Sequence, residues 1–312
     1  MQKRAPAVGG WRRASAADIP ALSAFLQADE EKRVGFSGRL IRAVGEGEPE
    51  LRLPSALRGS VWMLEGEPAG GRAAALRGAL LCHPSRLAFP IFPDDADGVG
   101  DRGLALLASS FSPASVLGMA SDVERYESAF GLRAKASVAY RLMRLADPNS
   151  AGAAPPAAGD PAERPASGPK LALRRAGPAD LDELLPLQEA YEREEVLTSL
   201  HSFNRAACRA SLARALERQL VFAAWEDGVA VAKAGTNARG FGVDQVGGVY
   251  AMPERRGRGL ASALMALLLS SIREAGRRPA LFVKPGNAPA RALYRSLGFE
   301  DLGDYRADYF EA

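Results

Sequence analysis

The sequence predicts an α+β (mixed α/β) protein of two tandem domains, each a mixed, largely antiparallel sheet flanked by helices. A repeat, a linker and an alternation of strand and helix periods carry that expectation. Trp11-Arg-Arg-Ala-Ser-Ala-Ala-Asp18-Ile-Pro-Ala-Leu22 matches Leu173-Arg-Arg-Ala-Gly-Pro-Ala-Asp180-Leu-Asp-Glu-Leu184 about 160 residues later. In each copy a strand ends in two arginines, a loop follows, and Asp18 or Asp180 stands just before a helix, where a carboxylate can cap free N–H groups. Residues 147–170 are rich in Pro, Ala, Gly, Ser and Asp without apolar periodicity. Such a segment buries too little surface to offset its ordering entropy and reads as a linker. The expected domains are 1–146 and 171–312.

Within the first domain, Ser115–Met119 reads as a strand, Asp122–Phe130 as a helix with a turn at Gly131, and Ala136–Met143 as a strand. In the second, Leu184–Ala213 is largely helical. Leu220–Trp225 and Val229–Ala234 form a hairpin around Glu226, Asp227 and Gly228. Asn237–Val243 reads as a second turn, into a strand at Gln245. Val246, Val249 and Tyr250 lie in that strand, which ends before Pro253. Leu260, Leu264, Leu267, Leu268 and Ile272 recur at helical spacing as far as Gly276, and Ala280–Val283 is a further apolar strand.

The stretch from strand to helix is the most informative in the chain. Gly257 and Gly259 stand at the helix start, flanked by Arg255, Arg256 and Arg258. A helix N-terminus presents unpaired N–H groups and partial positive charge, and glycines let a phosphate approach the backbone. The turn has the chemistry to hold a pyrophosphate.

Arg256-Gly-Arg-Gly259-Leu-Ala261 resembles the acyl-CoA pyrophosphate loop of the GNAT superfamily of N-acetyltransferases, Arg/Gln-x-x-Gly-x-Gly/Ala. Asn287 through Phe299 is similar to that superfamily's Asn-x-x-Ala-x-x-x-Tyr-x-x-x-Gly-Phe. The resemblance covers roughly residues 170–312, and within it Glu194-Glu195-Val196 after the first helix is similar to a bacterial two-domain branch of the superfamily. Ala251 is a departure, since the family more often has valine there. The resemblance implies acetyl-CoA as cosubstrate, no metal, and transfer of the acetyl group to a primary amine of a small molecule or peptide through a tetrahedral intermediate. It implies cofactor contacts from Tyr250, Ala251, Met252, Arg255, Arg256, Gly257, Arg258, Gly259, Leu260 and Ala261. Tyr294 is the expected general acid toward the leaving sulfur, and Asn287 a group that bonds cofactor or substrate. Glu194 and Glu195 are candidates for the general base, with Asp244 and Gln245 near the central strand as further ones.

The first half lacks this chemistry. Where the second carries its Arg/Gly loop, the first carries Asp94, Asp95, Asp97 and Asp101, whose charges would repel phosphates. Aligning Gly131 with Gly298 puts Glu127 opposite Tyr294. The N-terminal half is expected to be a degenerate copy without CoA. Gly98, Gly100 and Gly103 formally match a dinucleotide fingerprint, with Asp122 downstream, but the intervening aspartates argue for a solvated loop.

Composition excludes other classes. A hydrophobic fraction of 47%, a charged fraction of 25% and a net charge of +3 describe an ordinary globular protein without the basic excess that nucleic-acid binding needs. No run approaches the roughly 18 apolar residues of a membrane span, and the N-terminus lacks a secretory apolar stretch, so the expectation is cytoplasmic. Cys82 and Cys208 are expected as reduced thiols, and His83 and His201 as structural or surface groups. Two rival classes remain from sequence alone: a non-enzymatic CoA-binding scaffold, and a regulatory protein whose first half senses a metabolite.

Overall fold

The computed structural model describes residues 10–42, 50–51, 60–66, 75–93, 111–146 and 170–310. The expected linker, except Lys170, and the segment with Asp94 to Gly103 lie outside them. The chain forms two compact units, Met1–Tyr140 with Gly303–Ala312, and Arg141–Leu302.

In unit 1 the strands lie in the order β1 (Trp11–Arg13), β4 (Val61–Glu65), β5 (Leu76–Cys82), β6 (Leu87–Ile91), β7 (Ser115–Met119) and the end of β14 (Phe299–Tyr309); β2 (Ile41–Arg42) and β3 (Glu50–Leu51) form a separate small ladder. All neighbours are antiparallel except the parallel pair β6 and β7. The helices are α1 (Ile19–Gln27), α2 (Glu30–Leu40) and α3 (Ala120–Phe130). Leu80 and Cys82 join Val116 and Val123 and Tyr126 of α3 in one core cluster. Ala79 and Leu81 are equally buried and, by the two-residue period of a strand, face the other side. Both faces of this sheet are therefore covered.

In unit 2 the order is the end of β8 (Ala136–Leu145), then β13 (Arg278–Val283), β12 (Val243–Ala251), β11 (Val229–Arg239), β10 (Val221–Glu226) and β9 (Leu171–Arg175). Only β12 and β13 are parallel. The helices are α4 (Leu181–Tyr191), α5 (Arg205–Arg218), α6 (Leu260–Glu274) and α7 (Ala288–Ser296), with a π-helical turn at Glu192–Val196. Strand β10 is buried along its whole length. Its Phe222 and Ala224 pack with Leu264 and Leu268 of α6, while Val221, Ala223 and Trp225 pack with Leu184, Leu187 and Leu212 of α4 and α5. A strand sandwiched between helices reads as a continuous apolar run, as this one does.

The units do not follow the two halves of the sequence at their ends. Arg141–Arg144 of β8 pair with β13 in unit 2, and Tyr305–Tyr309 of β14 pair with β7 in unit 1. The turn read at Asn237–Val243 is shorter than expected: β11 continues through Arg239, because Thr236 and Ala238 are buried and pair with Val246 and Gln245.

The repeat is visible as the same structure built twice. Arg12 donates to both carboxylate oxygens of Asp18 (2.8 and 2.6 Å), and Arg174 does so to Asp180 (2.9 and 2.6 Å). The main-chain N–H three residues upstream, of Ser15 or Gly177, donates to the same aspartate at 2.8 Å. The expected cap is formed one turn early: each aspartate ends the short 3-10 turn that leads into the helix and accepts the N–H of that turn's N-cap residue, Ser15 or Gly177. The carboxylates accept no amide from the first turns of α1 and α4 and instead close the preceding turn. The guanidinium holds Asp18 down to about 2, and Asp180 is lowered for the same reason.

Candidate functional site

The site in unit 2 begins where two parallel strands part. Val243–Val246 of β12 pair with Arg278–Leu281 of β13, and the register ends there although β12 continues to Ala251. A parallel pair that stops pairing opens a crevice at the carboxyl ends of its strands, the usual ligand position in open α/β sheets. On the other side of β12 a bulge interrupts the ladder. Lys233 pairs with Tyr250 and Gly235 with Gly247, so Ala234 alone faces Gly248 and Val249. Gly248 has φ +62°, and its carbonyl accepts from Lys233 Nζ at 3.0 Å.

Beyond β12, the loop leads into α6. Gly257 and Gly259 have φ of +74° and +76°, and no heavy atom stands within 4 Å of where a Cβ would be. Backbone conformation, not crowding, demands glycine there. Gly259 is the N-cap of the fifteen-residue α6, whose first-turn N–H groups have no carbonyl one turn back. The three loop arginines are held by carboxylates: Arg255 and Arg258 by Glu226 at 2.5 and 2.6 Å, and Arg256 by Glu194 at 2.7 Å. Arg256 Nε also donates to the Ala251 carbonyl at 3.1 Å. Glu226 is only 5% exposed and its pKa is lowered, by the Arg258 bond most and by Arg255 in addition. The loop's three arginines are therefore held by two carboxylates, while Gly257, Arg258 and Gly259 stay exposed.

Over the crevice lies the π-helical turn. Glu194 accepts from both Arg256 and the Tyr250 hydroxyl (2.8 Å), which hold its pKa down. Glu195 receives Lys284 Nζ on its side chain at 3.2 Å and on its carbonyl at 2.6 Å. Tyr294, on α7, is 7% exposed, and burial pushes its hydroxyl up to about 12, with the Glu195 charge adding to the shift. It stays protonated near neutral pH and can donate. Asn287 is the N-cap of α7, its side-chain oxygen accepting the Ala290 N–H at 3.1 Å. Leu260 is buried under the loop and Ala261 half-buried in the first turn of α6. The Met252 N–H already serves the Val231 carbonyl at 2.9 Å, so it is not open to a ligand.

Of the other sequence candidates, Asp244 is fully buried between Arg239 and Arg277, a structural ion pair, and Gln245 is half-buried in β12. His83 and His201 make local contacts to Ser85 and Thr198. Cys82 and Cys208 are free and buried, and burial pushes both thiols up to about 12. Among the described residues no His, Cys, Asp or Glu cluster could hold a metal ion, and no helix is long and apolar enough to cross a membrane.

Sequence reasoning missed Glu226, Lys233, Tyr191 and Lys284. Lys233 is buried, its ammonium lying 4.2 Å from the Tyr191 ring centroid, and burial lowers its pKa to about 8. Its apolar neighbours Val231, Ala232 and Ala234 mark a buried strand, so a lysine in that run was the available signal. Glu226 offered none, since its partners stand far along the chain.

The acetyltransferase (GNAT) family model matches residues 182–299. Among solved structures, a Drosophila protein has TM-score 0.59 and 12% identity, over 97% of this chain and 99% of that one. A GNAT-family acetyltransferase from Colwellia psychrerythraea has TM-score 0.52 and 11% identity, over 96% and 99%. A tandem GNAT protein from the clavulanic acid biosynthesis pathway has TM-score 0.47 and 16% identity, over 91% and 96%. No curated protein matches. Residues 182–299 thus match the acetyltransferase (GNAT) family model, and the fold over nearly the whole chain is similar to that of the Colwellia protein.

Proposed function

We propose that unit 2 transfers an acetyl group from acetyl-CoA to a primary amine of a small molecule or peptide. The observation that carries this reading is the Gly257–Gly259 loop opening α6 beside parted parallel strands, with a protonated Tyr294 near Glu195. The pyrophosphate would lie against the first-turn N–H groups of α6, where the helix dipole favours negative charge. The Cβ-free positions leave that approach open.

In the reaction the amine nitrogen attacks the thioester carbonyl carbon, giving a tetrahedral oxyanion, and the C–S bond then breaks. Tyr294 gives its hydroxyl proton to the departing thiolate, whose basicity suits a donor held neutral by burial. The proton lost by the amine goes to a carboxylate of the π-helical turn. Glu195 is better suited than Glu194, which two donors already stabilise as the anion and which positions Arg256 instead. Asn287 orders the start of α7 and thereby the placement of Tyr294.

The test is a panel of amino acids, polyamines, aminoglycosides and peptide N-termini incubated with acetyl-CoA while release of free thiol is followed, with Tyr294→Phe as control. The reading expects turnover of at least one amine that falls steeply in the variant. Binding of acetyl-CoA without turnover of any amine favours the scaffold class.

A further inference from the structure

Lys233 is a buried ammonium in the middle of β11, where an apolar side chain would cost nothing to bury. The geometry of β12 opposite it accounts for the charge. The Met252 N–H donates to the Val231 carbonyl at 2.9 Å, which makes Val231 and Met252 a hydrogen-bonded pair. Hydrogen-bonded and non-hydrogen-bonded pairs alternate along an antiparallel ladder. Lys233 and Tyr250 are thus the next hydrogen-bonded pair, and the amides of Val249 and Ala251 face away from β11. The Ala251 carbonyl conforms to this, since it accepts from Arg256. The side away from β11 is that of β13, where the parallel register has already ended at Val246 and Leu281. The Val249 N–H therefore faces the open crevice.

A trans peptide points its carbonyl opposite to its N–H, so the Gly248 carbonyl of the same peptide is turned toward β11. In a regular ladder its donor would be the Gly235 amide, which the bulge has paired with Gly247 instead. Lys233 Nζ takes that place at 3.0 Å, and it lies 3.0 Å from where a Cβ on Gly248 would stand. A charged donor makes a bond roughly twice as strong as a neutral one and polarises the N–H at the other end of the peptide. The groups that act on the ammonium are the Tyr191 ring of α4, Glu192 of the π-helical turn, whose charge works against the effect of burial, and Cys208 of α5, with Tyr250 opposite it on β12.

We propose that Lys233 is a positioning residue of the transferase site: by holding the Gly248 carbonyl it fixes and polarises the Gly248–Val249 peptide, whose N–H meets the thioester oxygen as that oxygen becomes the oxyanion. The assignment rests on the transferase reading of unit 2. A fixed donor aimed at developing charge acts mainly on the transition state, so its effect falls on kcat more than on cofactor binding. Lys233 keeps its proton throughout, and the amine and thiol protons move as described for the reaction. Its charge is present below pH about 8 and lost above it. Burial pushes Tyr191, Cys208 and Tyr294 up to about 12, so none of these titrates in the same range.

The experiment is thiol release from acetyl-CoA with the fastest amine of the panel, followed between about pH 6 and pH 10 for wild type, Lys233→Met and Lys233→Gln. Calorimetry gives acetyl-CoA affinity, and circular dichroism and thermal midpoint confirm that each variant is folded. Deprotonation of the acceptor makes the rate rise with pH, so loss of the Lys233 charge has the opposite sign. The inference expects a falling limb of kcat near pH 8 in the wild type. It expects kcat lower by about tenfold or more in both variants, without that limb, and acetyl-CoA affinity changed by less than about threefold. It is overturned if the wild type shows no such limb, if a folded variant keeps the limb or the wild-type kcat, or if the variants lose affinity for acetyl-CoA instead of kcat. If the wild type turns over no amine, the transferase reading itself falls and this inference with it.

Discussion

The two units contain the same turn and opposite sites. Arg12 with Asp18 and Arg174 with Asp180 repeat one ion pair down to the upstream amide, yet the segments after the central parallel strands β6 and β12 differ in charge. In unit 2 the loop carries arginines anchored by Glu226 and Glu194. In unit 1 the sequence after β6 is acidic, and Glu127, opposite Tyr294 in the repeat, is held by Arg306 at 2.7 Å. The scaffold turn is kept because it closes a strand-to-helix connection wherever it occurs. On the proposed reading, the chemistry belongs to the one loop and helix that differ.

The comparison is sharpened most by removing the acid in each unit. Tyr294→Phe is expected to lower kcat by about 100- to 10,000-fold with little change in acetyl-CoA binding, while Glu127→Gln leaves kcat unchanged. Steady-state kinetics on both variants checks this, and equal losses would erase the distinction. Within unit 2, Glu195→Gln should cost about 100-fold in kcat and Glu194→Gln less than about tenfold, mainly as a higher KM for acetyl-CoA through Arg256. The reverse order would exchange their roles.

The paired turns give a stability comparison. The Arg12 side chain is 9% exposed and Arg174 49%. Asp18→Asn should therefore destabilise by about 2 kcal/mol, since Arg12 loses one charged partner but keeps Glu65, and Asp180→Asn by about 1 kcal/mol or less, as at a surface. Urea denaturation measures both. The folded value of Asp18, about 2, lies below its unfolded value of about 4. Its contribution is thus complete above pH about 4 and is lost as pH falls through about 2.

The smallest effect concerns Lys233, whose folded value of about 8 lies below the unfolded value of about 10.4. Between these values the unfolded chain binds more protons, so this residue makes stability rise with pH from about 8 toward 10. The difference in unfolding free energy between wild type and Lys233→Met should show that slope. A difference flat in pH would mean that the amine is not desolvated.

Much of this was legible in the sequence, and the parts that were not share a common cause. The repeat, the strands at Ser115–Met119 and Ala280–Val283 and the glycine loop are local patterns, set by periodicity and by positive φ at Gly257 and Gly259. The ion pairs of Glu226 with Arg255 and Arg258, and of Glu195 with Lys284, join residues far apart in the chain. The pairing of β8 with β13 and β14 with β7 likewise leaves no mark on either strand's own period. The capping role expected of Asp18 and Asp180 is met at the preceding 3-10 turn, and the additional bond from Arg12 or Arg174 of the preceding strand had no signal in the sequence.

The central claim is that only unit 2 holds acetyl-CoA. Calorimetric titration of the full chain with acetyl-CoA, beside Gly259→Glu, tests it directly. At a concentration about 100 times Kd the ligand should also stabilise the wild type by roughly 2.7 kcal/mol. One site per chain, lost in the variant, is the expected result. Two sites per chain, or binding that survives in Gly259→Glu, would contradict the claim.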